Sequence, residues 1–175
     1  LARLDRATET FSVPTGAPGD MDGACGREVS ALGAGADGTL WSATRNGGLC
    51  ARDPASGTFE TVRVQPIPEK QPGAMALWRG ARGELWAHMS GIGPDGGAGV
   101  CRINEAAKQC EASGVPWTRS VAGAPGIAFG DTPEGLALYR NDGGTWSVSQ
   151  VWPGVRMTSG SQNLLATSGR IWIGT

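Results

Sequence analysis

The feature that most constrains this chain is a short unit that returns at a fixed distance. Gly38-Thr39-Leu40-Trp41 is followed 45 residues later by Gly83-Glu84-Leu85-Trp86, and Gly169-Arg170-Ile171-Trp172 lies 86 residues beyond that. Midway across the wider gap, Gly126-Ile127-Ala128-Phe129 repeats the pattern with its Trp lost. A second marker keeps the same phase: Gly48-Leu49-Cys50 returns as Gly99-Val100-Cys101 and Gly135-Leu136-Ala137, and Leu1-Ala2 fits the same slot. A third, Gly57-Thr58-Phe59, returns as Gly144-Thr145-Trp146 and Glu9-Thr10-Phe11. A period of about 42 to 45 residues suits a four-stranded unit rather than a helical repeat.

The best-preserved unit, Val29 to Val64, shows why the repeated element is a sheet. It holds four short apolar runs, each ended by a turn signal: Gly33 to Gly38, Arg45-Asn46-Gly47-Gly48, Asp53-Pro54-Ala55-Ser56-Gly57 and Pro66. Runs of this length between Asn-Gly, Gly-Gly and Asp-Pro punctuation read as strands joined by hairpins. Four such strands form a meander, and a recurring meander is a propeller blade. The Gly-Gly before the third strand supplies a positive φ at its hairpin. No stretch of ten or more residues keeps a clean helical period.

At these residues a family comes into view. Asp37-Gly38-Thr39-Leu40-Trp41-Ser42-Ala43-Thr44 with Asn46-Gly47-Gly48-Leu49 resembles the two-component regulator propeller repeat, whose usual form is Asp-x-x-Gly-x-Leu-Trp-Ile-Gly-Thr followed by Gly-Gly-Leu. Gly169-Arg170-Ile171-Trp172-Ile173-Gly174-Thr175 matches the core of that motif nearly letter for letter. The copy at Gly83 departs after its Trp into Ala87-His88-Met89, and the copy at Ile127 keeps only Gly130-Asp131. The resemblance spans nearly the whole chain as four degenerate repeats. It implies an all-β propeller of the kind found in sensor regions, usually outside the cytoplasm, of histidine kinases, hybrid regulators and diguanylate cyclases. The motif specifies a structural unit and no catalytic residue.

The repeat phase sets the expected organisation. Residues 1–13 read as the third and fourth strands of a unit, complete units lie at about 29–64, 74–115 and 121–151, and about 159–175 reads as the first two strands of another. The chain opens in mid-repeat, which predicts a piece of something longer. The two half-blades pair to close a small four-bladed ring, or the chain is an arc of a larger propeller; the arc is favoured, since the resembled family builds larger rings. An open arc exposes strand edges that invite pairing with other chains. Expected partners are therefore other propeller segments of the parent chain or a homodimer partner. A formal net charge of −1 over 175 residues carries no electrostatic footprint for nucleic acid. No apolar run approaches the roughly 20 residues of a membrane helix.

Trp41, Trp86 and Trp172 share one repeat position, so they read as wedges between blades, with ligand stacking as the sharper alternative. The loop between strands two and three of the second unit is swollen, running from Ser90 to Gly99 through Asp95, and such loops on rigid scaffolds carry binding. Linkers and strand two–three hairpins open on one face of a propeller. That face gathers Arg45, Asp95, Trp117, Arg119, Trp152 and Arg156 as candidate ligand-binding residues. Arg beside aromatic rings suits a small-molecule, peptide or oligosaccharide ligand. Packing by Trp117 and Trp152 is the competing reading.

His88, the only histidine, has no second ligand beside it and reads as a packed or rim side chain; no metal and no cofactor are expected. Asp20 and Asp22 read as a solvated turn. Cys101 and Cys110 bracket one hairpin at opposed positions and are expected to form a disulfide; Cys25 and Cys50 are a looser pairing. An even cysteine count in a chain that resembles an exported sensor fits disulfides and a periplasmic or extracellular compartment; the competing reading makes Cys50 and Cys101, equivalent by repeat, small buried thiols. No triad, Walker loop or Gly-x-Ser-x-Gly motif is present, and no catalytic residue is expected. The expectation is a non-catalytic sensing or interaction propeller of a bacterial signalling receptor; the alternative is a secreted carbohydrate-active propeller or lectin.

Overall fold

In a computed structural model the chain is all-β: seventeen strands, with no helix among the described residues. The structure describes residues 3–12, 28–46, 48–65, 72–80, 82–93, 97–116, 121–124, 126–142, 145–155, 164–167 and 170–173.

Three antiparallel meanders dominate. The first sheet orders β3 (Val29–Ala34), β4 (Leu40–Thr44), β5 (Gly48–Arg52) and β6 (Phe59–Thr61) as neighbours. The second contains β8 (Ala74–Arg79), β9 (Leu85–Met89), β10 (Gly99–Asn104) and β11 (Gln109–Pro116) in the same sequential order. The third contains β12 (Val121–Ala124), β13 (Ile127–Asp131), β14 (Gly135–Asp142) and β15 (Thr145–Pro153). Two separate hairpins flank them: β1 (Arg3–Asp5) with β2 (Thr10–Ser12), and β16 (Leu164–Thr167) with β17 (Arg170–Ile173).

The 45-residue repeat is visible in the hydrogen bonds. Gly35 donates its backbone N–H to the Thr39 carbonyl at 2.6 Å, and Gly80 donates to Glu84 at 2.7 Å. Gly38 and Gly83 donate back to Gly35 and Gly80, each at a φ near 85° that only glycine adopts without strain. Both first strands carry a register shift at the same phase, between Val29 and Ala31 and between Ala74 and Ala76. The third-to-fourth strand turns also match. The Asp5 carboxylate accepts from the backbone of Ala7 and Thr8, Asp53 from Ala55 and Ser56, and the Asn104 side-chain carbonyl from Ala107. Each such turn then places its fifth residue at positive φ: Glu9 at 53°, Gly57 at 75° and Lys108 at 49°. These backbone donors hold the Asp53 carboxyl below its ordinary pKa.

Central strands are buried on both faces: β4 and β9 show burial without alternation, with the polar Ser42, Thr44 and His88 enclosed beside their apolar neighbours. Trp41, Ala43, Leu49 and Ala51 of the first sheet pack against Leu85, Ala87, Met89 and Cys101 of the second. Trp78, Trp86 and Val100 of the second pack against Ala128, Ala137, Tyr139 and Trp146 of the third. Trp41 and Trp86 are thus wedges between sheets, and each depends on a glycine. A Cβ at Gly35 would lie 3.0 Å from Trp41 Nε1, and one at Gly80 would lie 2.8 Å from Trp86 Nε1. Trp172, at the same repeat position, is instead 56% exposed.

Two tertiary devices join the first and second sheets. Arg79 pairs with Glu105 at 2.6 Å and also donates to the carbonyls of Ala34 and Gly83, while Glu105 accepts from the Ala36 backbone at 3.1 Å. Three hairpins are drawn together by this one charge pair. The second device is β7 (Arg63–Gln65). The run expected as one fourth strand breaks at Val62, and β7 leaves the first sheet to pair parallel with β11, Val64 opposite Cys110. Lys108 reaches Glu60 at 2.7 Å beside it, and that contact raises the lysine pKa.

Cys101 and Cys110 form a disulfide. The two lie on a diagonal rather than directly opposite: Cys101 faces Ala112 and Cys110 faces Ile103, yet their Cα atoms are 5.5 Å apart, within bridging range. Cys50 is also disulfide-bonded, and its expected partner Cys25 lies outside the described residues, as do Asp20 and Asp22. Opening the Cys101–Cys110 bridge in a Cys101→Ala/Cys110→Ala variant is expected to cost about 2–3 kcal/mol, the loop-closure value for a loop of this length. Chemical unfolding of the variant against the oxidised parent measures it; equal stabilities would show that the bridge does not constrain the unfolded chain.

Candidate functional site

The strand two–three hairpins of the three sheets are the Arg45 turn, the loop from Ser90 to Gly99, and residues 132–135. The first two are brought together by Gly73. Ser90 donates its N–H to the Gly73 carbonyl at 2.8 Å and accepts on Oγ from the Gly73 N–H at 2.9 Å. A Cβ on Gly73 would collide with the Arg45 carbonyl and approach Ser90 Oγ to 3.3 Å, so only glycine fits between the two loops. Arg45 donates its backbone N–H to Glu28 at 3.1 Å and leaves its side chain exposed.

The swollen loop is anchored at both ends. Ile92 is buried in the cluster between the first two sheets, and Gly93 donates to the Gly97 carbonyl at 3.0 Å, closing the loop over its own neck. Asp95 at its tip lies outside the described residues, as do Trp117, Arg119 and Arg156. Trp152 ends β15 beside the 132–135 hairpin of the third sheet. It is half-buried and stacked on Phe129, ring centroids 6.2 Å apart at 24°. Phe129, Leu136 and Leu138 form the apolar cluster it covers. Among the candidate ligand residues that are described, the structure therefore places Arg45 free toward solvent on an anchored loop, and Trp152 in contact with the core.

His88 lies in the middle of β9, opposite Val100 and Ala76, and shares its strand face with Trp86. It is 1% exposed, and its Nε2 has no hydrogen-bond partner. Burial alone pushes its pKa down to about 4, so it is neutral at neutral pH and belongs to the packing. Sequence reasoning missed the Gly73 junction and the Arg79–Glu105 clasp. The first had a faint signal in Pro72-Gly73 before an apolar run; the second had none, since its members are 26 residues apart on different hairpins.

No family model matches the chain, and no curated protein matches it in sequence. Its fold is found in solved structures. Two crystal structures of the extracellular domain of one B. thetaiotaomicron protein, BT4673, superpose on it. In one that protein is described as a one component system, and the match has a TM-score of 0.64, 18% identity, and covers 96% of this chain and 22% of that chain. In the other it is described as a hybrid two component system, with a TM-score of 0.67, 18% identity, and coverage of 99% and 23%. The chain thus has the fold of a segment of such domains and spans less than a quarter of their length.

Proposed function

We propose that this chain is a β-propeller segment that serves, without catalysis, as the ligand-sensing or interaction region of a bacterial two-component-type receptor, outside the cytoplasm. The observation that carries the reading is the fold shared along nearly the whole chain with extracellular domains of signalling systems. The repeat supports it independently: three consecutive meanders, the first two with matched turns and a Trp wedge each, are built as blades are. In this reading the sheets are the blades at about 29–64, 74–115 and 121–151, and the flanking hairpins are half-blades at 1–13 and about 159–175. The disulfide fits an oxidising compartment.

The binding face is the one carrying the Arg45 turn, the Ser90–Gly99 loop with Asp95, and the linkers with Trp117, Arg119, Trp152 and Arg156. Its ligand is a small molecule or oligosaccharide, held by forked guanidinium hydrogen bonds and ring stacking. The test is a thermal-shift screen of an oligosaccharide and small-metabolite panel against the chain, followed by Arg45→Ala and Arg119→Ala. A hit whose stabilisation disappears in either variant, with the ligand-free melting temperature unchanged, supports this face. A hit unaffected by both substitutions places the ligand elsewhere. Hydrolysis of any oligosaccharide in the panel would favour the carbohydrate-active alternative.

A further inference from the structure

The meanders of the three complete sheets each finish on a fourth strand: β6, β11 and β15. A bare strand edge is a template for another chain, and proteins blunt it by keeping it short, charging it or covering it. Two of the three edges are blunted in these ways. β6 is three residues long and carries Glu60, which holds Lys108 at 2.7 Å. β11 carries Glu111 and is covered by β7, which pairs along it from Gln109 to Glu111. β15 has none of these devices. It is nine residues long, reads TWSVSQVWP without a charged side chain, and among the described residues its ladder is with β14 alone.

The side chains that β15 exposes are the wrong ones for a solvated edge. Val148 and Val151 are 53% and 37% exposed. They are three residues apart, which on a regular strand would put them on opposite faces. The register shift between Leu138 and Tyr139 brings them to one face: Val148 lies opposite Tyr139 and Val151 opposite Ala137, two residues apart on β14. Ser149, taken up by that shift, accepts on Oγ from Arg140 Nε at 3.2 Å, which fixes the bulge. Residues 147–152, SVSQVW, contain no proline, glycine or charge, a composition that favours strand pairing.

We propose that the outer edge of β15 is a dimerisation surface, on which β15 of a second copy of this chain lies antiparallel across a two-fold axis. A two-fold contact brings a strand against itself, so a charge on it would confront its own kind, and β15 carries none. The faces set the register. Opposed residues of an antiparallel pair share a face, so Val148 meets Val151 of the second copy, and Val151 meets its Val148. In the same register Ser147, opposite Arg140, meets Trp152, opposite Leu136, both on the other face. The two valines of each copy leave water against each other, and the two third sheets become one continuous sheet. One strand pair is a small contact by the standard of stable interfaces, so the association is reversible and grows with concentration. The inference does not rest on the ligand face proposed above.

The test is light scattering over a rising concentration series. The parent mass is expected to climb from 18.0 kDa toward twice that value. A Val148→Lys/Val151→Lys variant sets like charges opposite each other and should stay at 18.0 kDa, as should Val148→Asp/Val151→Asp, while an equimolar mixture of the two associates again. Circular dichroism checks that both variants keep the parent's fold. If either does not, hydrogen exchange of the parent decides: the amides of β15 should slow as concentration rises while those of β6 do not, and unchanged β15 exchange overturns the proposal. A parent that remains at 18.0 kDa up to its solubility limit also overturns it, and so does association undiminished in the Lys variant, which places the contact elsewhere. A monomeric parent whose β15 amides respond to an added peptide of residues 59–65, FETVRVQ, gives the edge to a foreign strand rather than to a second copy.

Discussion

Replacing Trp86 by Ala is expected to destabilise the fold by about 4 kcal/mol, the range for truncating a large aromatic in a core that collapses only partly. The indole is 1% exposed and meets Trp146 edge-on, ring centroids 5.4 Å apart at 81°, while Trp78 meets the same ring at 6.3 Å. Removing it takes away its share of the apolar contact between the second and third sheets, leaving Trp78 and Val100, and an aromatic pair worth about 1 kcal/mol beyond its area. A domain of this size has a total stability of roughly 5–15 kcal/mol, so the variant is left near the margin of folding. Denaturant unfolding monitored by far-ultraviolet circular dichroism measures the loss. Trp172→Ala is the internal comparison. It should cost less than about 1 kcal/mol, because that ring is 56% exposed to begin with. Equal losses at the two positions would mean that Trp86 is not a wedge between sheets.

Acid should weaken the fold through a single side chain before the carboxylates titrate. His88 is neutral when folded, with a pKa of about 4, against an ordinary 6.5 when unfolded. The unfolded chain therefore binds the proton first. Stability is fully present above pH 6.5, falls as pH drops from 6.5 toward 4, and levels off below that, with a total loss of about 3 kcal/mol. The cause is desolvation: an imidazolium beside Trp86, between two sheets, would have neither water nor a counter-charge. Asp37 and Asp53, whose carboxyls are held low by backbone donors, lose their contribution only at more acid pH. Unfolding free energies measured across pH 4 to 8 for the parent and for His88→Leu separate the two effects. The variant should be flat across this window; the same slope in both would assign the acid sensitivity to other groups.

How much of this could be read before folding is clearest at individual residues. The spacing of Leu40-Trp41 and Leu85-Trp86 announced a repeat, and the hydrogen bonds of both hairpins repeat at the same 45-residue interval. The Cys101–Cys110 bridge was legible because a hairpin limits how far apart its two strands can be, although its diagonal register was not. The candidate ligand face was legible only as a list of residue types. Of the two members the structure describes, Arg45 is exposed and Trp152 lies on Phe129, a difference that nothing in their local sequences encodes.

The sequence by itself determined what is local: the turns at Asp5, Asp53 and Asn104, and the glycines that admit Trp41 and Trp86. These depend on φ preferences and on side chains bonding to a backbone two or three residues away, so a short window contains every participant. Tertiary structure alone decided the rest. Thr58 to Val64 reads as one strand, yet it breaks at Val62, because β7 can pair with β11 only once the second sheet exists beside it. Gly-Arg-Ile-Trp and Gly-Thr-Leu-Trp are nearly the same words. Trp41 is nonetheless buried and Trp172 is not, because burial of a wedge belongs to the sheet that packs over it, and that sheet lies elsewhere in the chain.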